Sequence, residues 1–250
     1  MPTIYSSDSG TTDDGFAGQQ GASTWAGARD GAGSYSTTSS SASGNAISVA
    51  RVSGRRGSTS YTVFRTFLCF DTSGITGTVS AATIKIYGYS TNGASVIPVK
   101  STAFGGDGLT GLANGDFDAI TGYSAGSSLA GSATDYGPQI LTSSWSTSGY
   151  NDFTGTSDLR ADMQNNDVVI ICLMDYTNDY LNSALASSAT LRCGAYYAED
   201  GSAGTTRDPK IEYTVSASGY THDVNGVAAA SIGKVNYVAT ANIGKINSVD

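Results

Sequence analysis

Two nonpolar runs set the limits on what this chain can become. Thr62–Phe70 reads TVFRTFLCF, and Asp167–Met174 reads DVVIICLM. Both carry too many apolar residues for a one-sided strand, so they predict strands covered on both faces. Ser80–Tyr89, SAATIKIYGY, alternates instead, with Ile84 and Ile86 on one face and Lys85 and Tyr87 on the other. Shorter strands are expected at TIYSS, STWAG and NAISVARV near the N-terminus, at Val96–Ser101, and at Ala189–Tyr197 and Lys210–Val215.

The segments between them are turn material. Gly31–Gly44 reads as a long loop, and residues 104–150 carry GGDGLTG, ANGD and SAGSSLAGSA. One short helix is expected at Thr156–Asn165, capped by Ser157 or Asp158, with Leu159 and Met163 on one face. Composition agrees. Among the 21 acidic residues only Glu199 and Glu212 are Glu, while Gly numbers 32 and Tyr 15. Asp and Gly favour turns and Tyr favours strands, so a helical bundle is excluded. The predicted fold is all-β: an antiparallel jelly-roll β-sandwich with one short helix, over residues 1–219, followed by an extended C-terminal arm, 220–250.

The arm is an 11-residue repeat. Residues 224–234 read VNGVAAASIGK, 235–245 read VNYVATANIGK, and a third copy, 246–250, stops at INSVD; eight of 11 positions are identical between the full copies. Its apolar spacing is neither helical nor strictly alternating. Two copies cannot bury their own apolar residues. Val224, Val227, Ile232, Val235, Val238, Ile243, Ile246 and Val249 are therefore expected to pack on the main domain, on a sister chain or on a different partner.

Charge and cysteine usage narrow the partners. A formal charge of −8 argues against gripping phosphate backbones, so no nucleic-acid partner is expected. No run reaches the ~18 apolar residues of a membrane helix, so no membrane partner is expected either. The N-terminus MPTIYSSDSG does not read as a secretion signal, which implies retention or release by another route such as lysis. Cys69, Cys172 and Cys193 lie in strand-like runs and read as buried thiols, although one pair could still lie close enough to bridge.

The central block resembles the DNRLRE-domain family, a carbohydrate-binding-module-like β jelly roll. RTFLCFDTSGI at Arg65–Ile75 and SAATIKIY at Ser80–Tyr87 carry the likeness, with Phe70, Asp71, Ile75, Ala82, Ile84 and Tyr87 on the family's motif positions. Asp158 and Leu159 before VVIICLM, AYYAEDGS at Ala195–Ser202 and DPKIEYTV at Asp208–Val215 follow in the family's order, with Asp208 replacing an Arg. The repeat arm resembles short repeats in phage and other viral structural proteins.

Each chemistry has a plain competitor. His222, the only histidine, adjoins the arm and reads as a linker residue rather than a triad member. Asp116, Asp118, Asp175 and Asp179 read as turn residues rather than as a glycosidase pair. No cofactor is required, but calcium could be held by Asp13, Asp14, Asp107 and Asp116, with Asp8 and Asp118 nearby; ordinary Asp turns are the alternative. Trp25, Trp145, Tyr123, Tyr136 and Tyr150 lie in loop-like surroundings, where they either stack on glycans or cap the core.

The resulting expectation is a non-enzymatic structural protein on a virion surface: a capsid decoration, head-fibre or tail-associated subunit. Its arm would bind sister chains in a homo-oligomer, or capsid or tail proteins, and its sandwich could bind polysaccharide. An extracellular carbohydrate-binding module or adhesin is the alternative.

Overall fold

The computed structural model describes residues 1–7, 14–38, 43–198, 206–216, 234–235 and 238–239. In chain order the strands and helices are β1 (Thr3–Tyr5), β2 (Gly15–Ala22), α1 (Trp25–Arg29), β3 (Tyr35–Thr38), β4 (Ser43–Ser53), β5 (Thr59–Asp71), β6 (Thr78–Asn92) and β7 (Val96–Lys100). There follow β8 (Tyr150–Thr154), α2 (Ser157–Asn165), β9 (Val168–Asp175), β10 (Ala189–Tyr196), β11 (Lys210–Ser216), and the two-residue strands β12 (Lys234–Val235) and β13 (Val238–Ala239).

The fold is all-β and antiparallel. One sheet runs β1-β11-β6-β8. The other centres on β5, which pairs with β2 along one edge and with β4 and then β9 along the other. β10 joins β4, β7 joins β9, and β3 is the edge beyond β2. β6 belongs to both sheets: its first part pairs with β11 and β8, and its end pairs with β10. The two sheets face each other across a shared core.

Gly88 lies where β6 passes between sheets, next to a register shift in β10. A Cβ there would collide with the Ser146 carbonyl oxygen and come within 2.9 Å of Trp145 Nε1. Gly88→Ala is expected to cost about 1–3 kcal/mol through overpacking. A lowered urea midpoint would show it, and an unchanged midpoint would mean the corner has room.

The two apolar runs are covered on both faces, as their composition requires. From β5, Leu68 and Phe70 enter the core between the sheets, while Val63, Phe67 and Cys69 enter a second cluster outside. β9 divides likewise, with Val169, Ile171 and Leu173 inward and Ile170, Cys172 and Met174 outward. The outer cluster is roofed by the turn-rich segment through Phe104, Leu112, Phe117, Ile120 and Leu129. Cys69, Cys172 and Cys193 are free and buried.

Several local expectations need correction. STWAG is not a strand: Thr24 Oγ1 accepts the Gly27 N–H, and the β-branch-free stretch behind it turns into α1. Gly31–Gly44 is not wholly loop, because β3 forms within it against β2. α2 forms where expected, with Leu159 and Met163 buried, but its cap is Thr156, whose side chain accepts the Leu159 N–H.

In the arm, β12 and β13 pair antiparallel, with Val235 opposite Val238. Val224, Val227, Ile232, Ile243, Ile246 and Val249 lie outside the described residues. Among the described residues no helix is long and apolar enough to cross a membrane.

Candidate functional site

Among the described residues, polar side chains gather in several places, three of which bear on function. The first is sealed inside the scaffold. Arg65 sits on the outer-facing side of β5, in phase with Val63 and Phe67, and is fully buried. Its Nε and Nη2 each donate to Asp179 at 2.7 Å. Its Nη1 donates to the Phe117 carbonyl at 2.7 Å, and its guanidinium lies 4.1 Å from the Phe117 ring centre. Arg29, also buried, donates through Nε to the Asp179 carbonyl. Burial opposes the charge on Arg65, but Asp179 more than offsets it, and the guanidinium is held charged. The cluster joins α1, β5, the roof and the turn after β9. With its groups fully buried, it is a brace rather than a surface site.

Asp175, at the end of β9, is buried in the same region and accepts N–H groups from Asn178 and Ser95. Burial outweighs those donors and pushes its carboxyl up to about 6. Between about pH 4, the free value, and pH 6 the folded chain keeps a proton that the unfolded chain has released. Its stabilising contribution is therefore full below that window and lost as pH rises through it. A carboxyl-carbon NMR titration is expected to place the midpoint near 6, and a midpoint near 4 would refute the buried environment.

The second grouping is a cleft of about 950 Å³, where the end of β5 meets the end of α2. Asp71, Asp107, Asp167, Asn165 and Asn166 line it. Asp71 is engaged by Ser73, and Asp107 caps the Leu109 N–H.

The third lies on the outer face of the β1-β11-β6-β8 sheet. Cross-strand partners share a face, and register aligns Tyr5, Lys210, Lys85 and Asp152 in one row and Tyr87 with Tyr150 in another. Tyr87 packs edge-on against Tyr150 at 5.2 Å and against Tyr196 at 5.5 Å, and Tyr89 packs against Tyr196 at 5.6 Å. Five tyrosines from four strands thus gather on one side. Tyr87 and Tyr150 are fixed by their hydroxyls, the first donating to the Ser148 carbonyl and the second directed at the Thr206 and Asp208 carbonyls. Burial and nearby Asp208 and Tyr5 push the Tyr150 phenol up to about 12, so it stays protonated. Arg207 lies over the Tyr196 ring at 4.1 Å and Lys210 over the Tyr150 ring at 4.7 Å. Tyr89 and Tyr5 are 45% and 36% exposed, the most open rings of the group.

The sequence candidates scatter across these environments. Tyr150 belongs to the tyrosine face. Tyr136 and Trp145, at 1% and 6% exposure, belong to the inner core and offer no stacking face. Tyr123 is half-buried against the Arg brace, its hydroxyl directed at the Arg29 carbonyl and Asp30. Trp25 is half-buried on the other side of the sandwich, where its indole N–H donates to Asn182 Oδ1 at 2.8 Å.

Among the described residues the calcium candidates Asp14, Asp107 and Asp116 stand apart from one another. Asp14 is buried and accepts from Ser6 and the Ala198 N–H, and Asp116 accepts the Ala113 N–H. Asp8 and Asp13 lie outside the described residues. Among the described residues no three acidic, thiol or imidazole side chains are grouped to hold a metal ion. Asp179 stands in the turn after β9, as expected of it, and Asp175 closes β9 and caps that turn; both are buried.

Tyr5, Tyr87, Tyr89 and Tyr196 were absent from the sequence candidates. A signal for two of them existed, since Tyr87 and Tyr89 stand in phase with Lys85 on the polar side of an alternating strand. Neither a family model nor a curated protein matches this chain.

Proposed function

We propose that the chain is a non-enzymatic surface subunit of a virion, a capsid-decoration, head-fibre or tail-associated component. The sandwich, a jelly roll of DNRLRE type on this reading, turns its tyrosine face outward as a recognition surface. The arm, 220–250, holds it to sister chains or to capsid or tail proteins. The observation that carries this reading is the gathering of Tyr5, Tyr87, Tyr89, Tyr150 and Tyr196 on one side of a doubly covered scaffold. Tyrosine offers rigid, amphipathic contact area at low entropic cost, which suits recognition better than solvation. The repeat supports the anchoring role, because its apolar residues need a partner to bury them.

The test is fractionation of a producing culture. The chain should band with particles on a density gradient, and antibody to the sandwich should label intact particles. Recovery only in the cell-envelope fraction would favour the second reading, an extracellular carbohydrate-binding module or adhesin, which the same tyrosine face supports. Recovery only as free soluble protein would overturn both.

A further inference from the structure

We infer that the arm of one chain docks in the cleft of a sister chain, with Lys234 or Lys245 seated against Asp71, Asp107 and Asp167. This rests on the anchoring role proposed for the arm and names the arm's receptor.

Charge selects the occupant. Asp71, Asp107 and Asp167 line the cleft and are exposed. The Ser73 hydroxyl and N–H hold the Asp71 carboxyl below its usual range. Both of those bonds go to Oδ1 of Asp71, and the Leu109 N–H goes to Oδ1 of Asp107, so neither engages the second oxygen. Burial, and after it Asp71 and Asp107, push the Cys69 thiol in the same cleft up to about 11. Two carboxylates thus act on one space. Lys100 is the one cation among the lining residues, and Asp162 takes it at 2.8 Å. The acids are not grouped to hold a metal ion. They suit a longer cationic ligand that meets them in turn.

The arm is such a ligand. Residues 224–249 hold two of the chain's 13 cations and none of its 21 acids, on a chain of net charge −8. Each lysine stands in the same five-residue unit, IGKVN at 232–236 and IGKIN at 243–247. Leu109, 75% exposed, and Val168 give the cleft an apolar side on which the flanking Ile and Val can pack. A volume of about 950 Å³ suits one short unit rather than a whole element.

Connectivity brings arm and cleft together. β11 ends at Ser216, paired with Thr78, directly after the β5–β6 turn whose Asp71 and Ser73 line the cleft. The arm therefore starts from the cleft's end of the sandwich. Each sandwich has one cleft between β5 and α2, yet each arm carries the unit twice. The second unit needs a second cleft, which a sister chain supplies. The 11 residues between the lysines span up to ~36 Å when extended, enough to bridge two sandwiches.

The experiment is sedimentation of two full-length charge-reversed variants, alone and mixed. One carries Asp107→Lys and Asp167→Lys, the other Lys234→Glu and Lys245→Glu. Each alone should associate at least about tenfold more weakly than the parent, and rising salt should weaken the parent too. An equimolar mixture should recover association, because each arm then meets a cleft of opposite charge. Asp152→Lys, the same change outside the cleft, should leave association unchanged. Urea midpoints of all variants check that they fold. Parent-like association of both variants would overturn the inference, leaving the anchoring role to the particle fractionation. Two weakened variants that stay apart when mixed would overturn docking between sister chains, as would a monomeric parent.

Discussion

Asp179→Ala is expected to lower the stability of the sandwich by about 3–5 kcal/mol, a large share of the ~5–15 kcal/mol of a typical domain. The substitution strands Arg65 as a fully buried cation whose Nε loses its acceptor and whose Nη2 keeps only the Arg29 carbonyl, at 3.1 Å. Arg29 loses only a 3.5 Å contact with the Asp179 carboxylate and keeps its bond to the backbone carbonyl of residue 179 and its pair with Asp30, so the loss concentrates on β5. A sharp contrast is expected with the double replacement Arg65→Met, Asp179→Leu. That pair removes both charges together and should recover much of the loss, because a buried ion pair contributes little net stability over an apolar pair of similar volume. Urea unfolding of the full chain measures both. A single variant within about 1 kcal/mol of the parent would show that water reaches the brace.

Phe104→Ala is expected to cost about 3–5 kcal/mol, and to cost it locally. Phe104 is fully buried in the outer cluster and sits at φ 56°, a left-handed backbone that a bulky residue resists. Its ring is what holds that conformation against the sheet. Alanine loses the ring while keeping the unfavourable φ, so nothing offsets the loss. The roof over β5, β9 and β7 should then open before the two sheets separate. Hydrogen exchange would show it as lost protection in residues 101–145, with β6 and β11 little changed. Uniform loss across both sheets would mean that roof and sandwich unfold as one unit.

The fold was legible where a strand's own residues decide its environment. β5 and β9 carry enough apolar side chains to demand cover on both faces, and β6 shows its two faces by alternation. β8 was not legible: of YNDFT, Phe153 reaches the inner core, and the segment is a strand because β6 offers it an edge. β3 exists for the same reason against β2. Of the two readings open for Tyr136 and Trp145, the structure takes the core one: a Gly- and Ser-rich segment normally lies at the surface, whereas here that segment builds part of the core.

The site was legible only in part. Tyr87 and Tyr89 are visible from the phase of β6. Tyr5, Tyr150 and Tyr196 join them through strand register, which no short stretch of sequence contains. Arg65 in the middle of an apolar run demands an acidic partner, yet nothing local points to Asp179, 114 residues away. Asp179 passed for a turn residue because it does stand in a turn, the one following β9.

The division of labour proposed for sandwich and arm is tested most directly by light scattering of the full chain beside a version ending at Tyr220. The full chain should run as a defined oligomer of its 25.4 kDa subunit, and the shortened one as a folded monomer. Two monomers would contradict assembly through the arm.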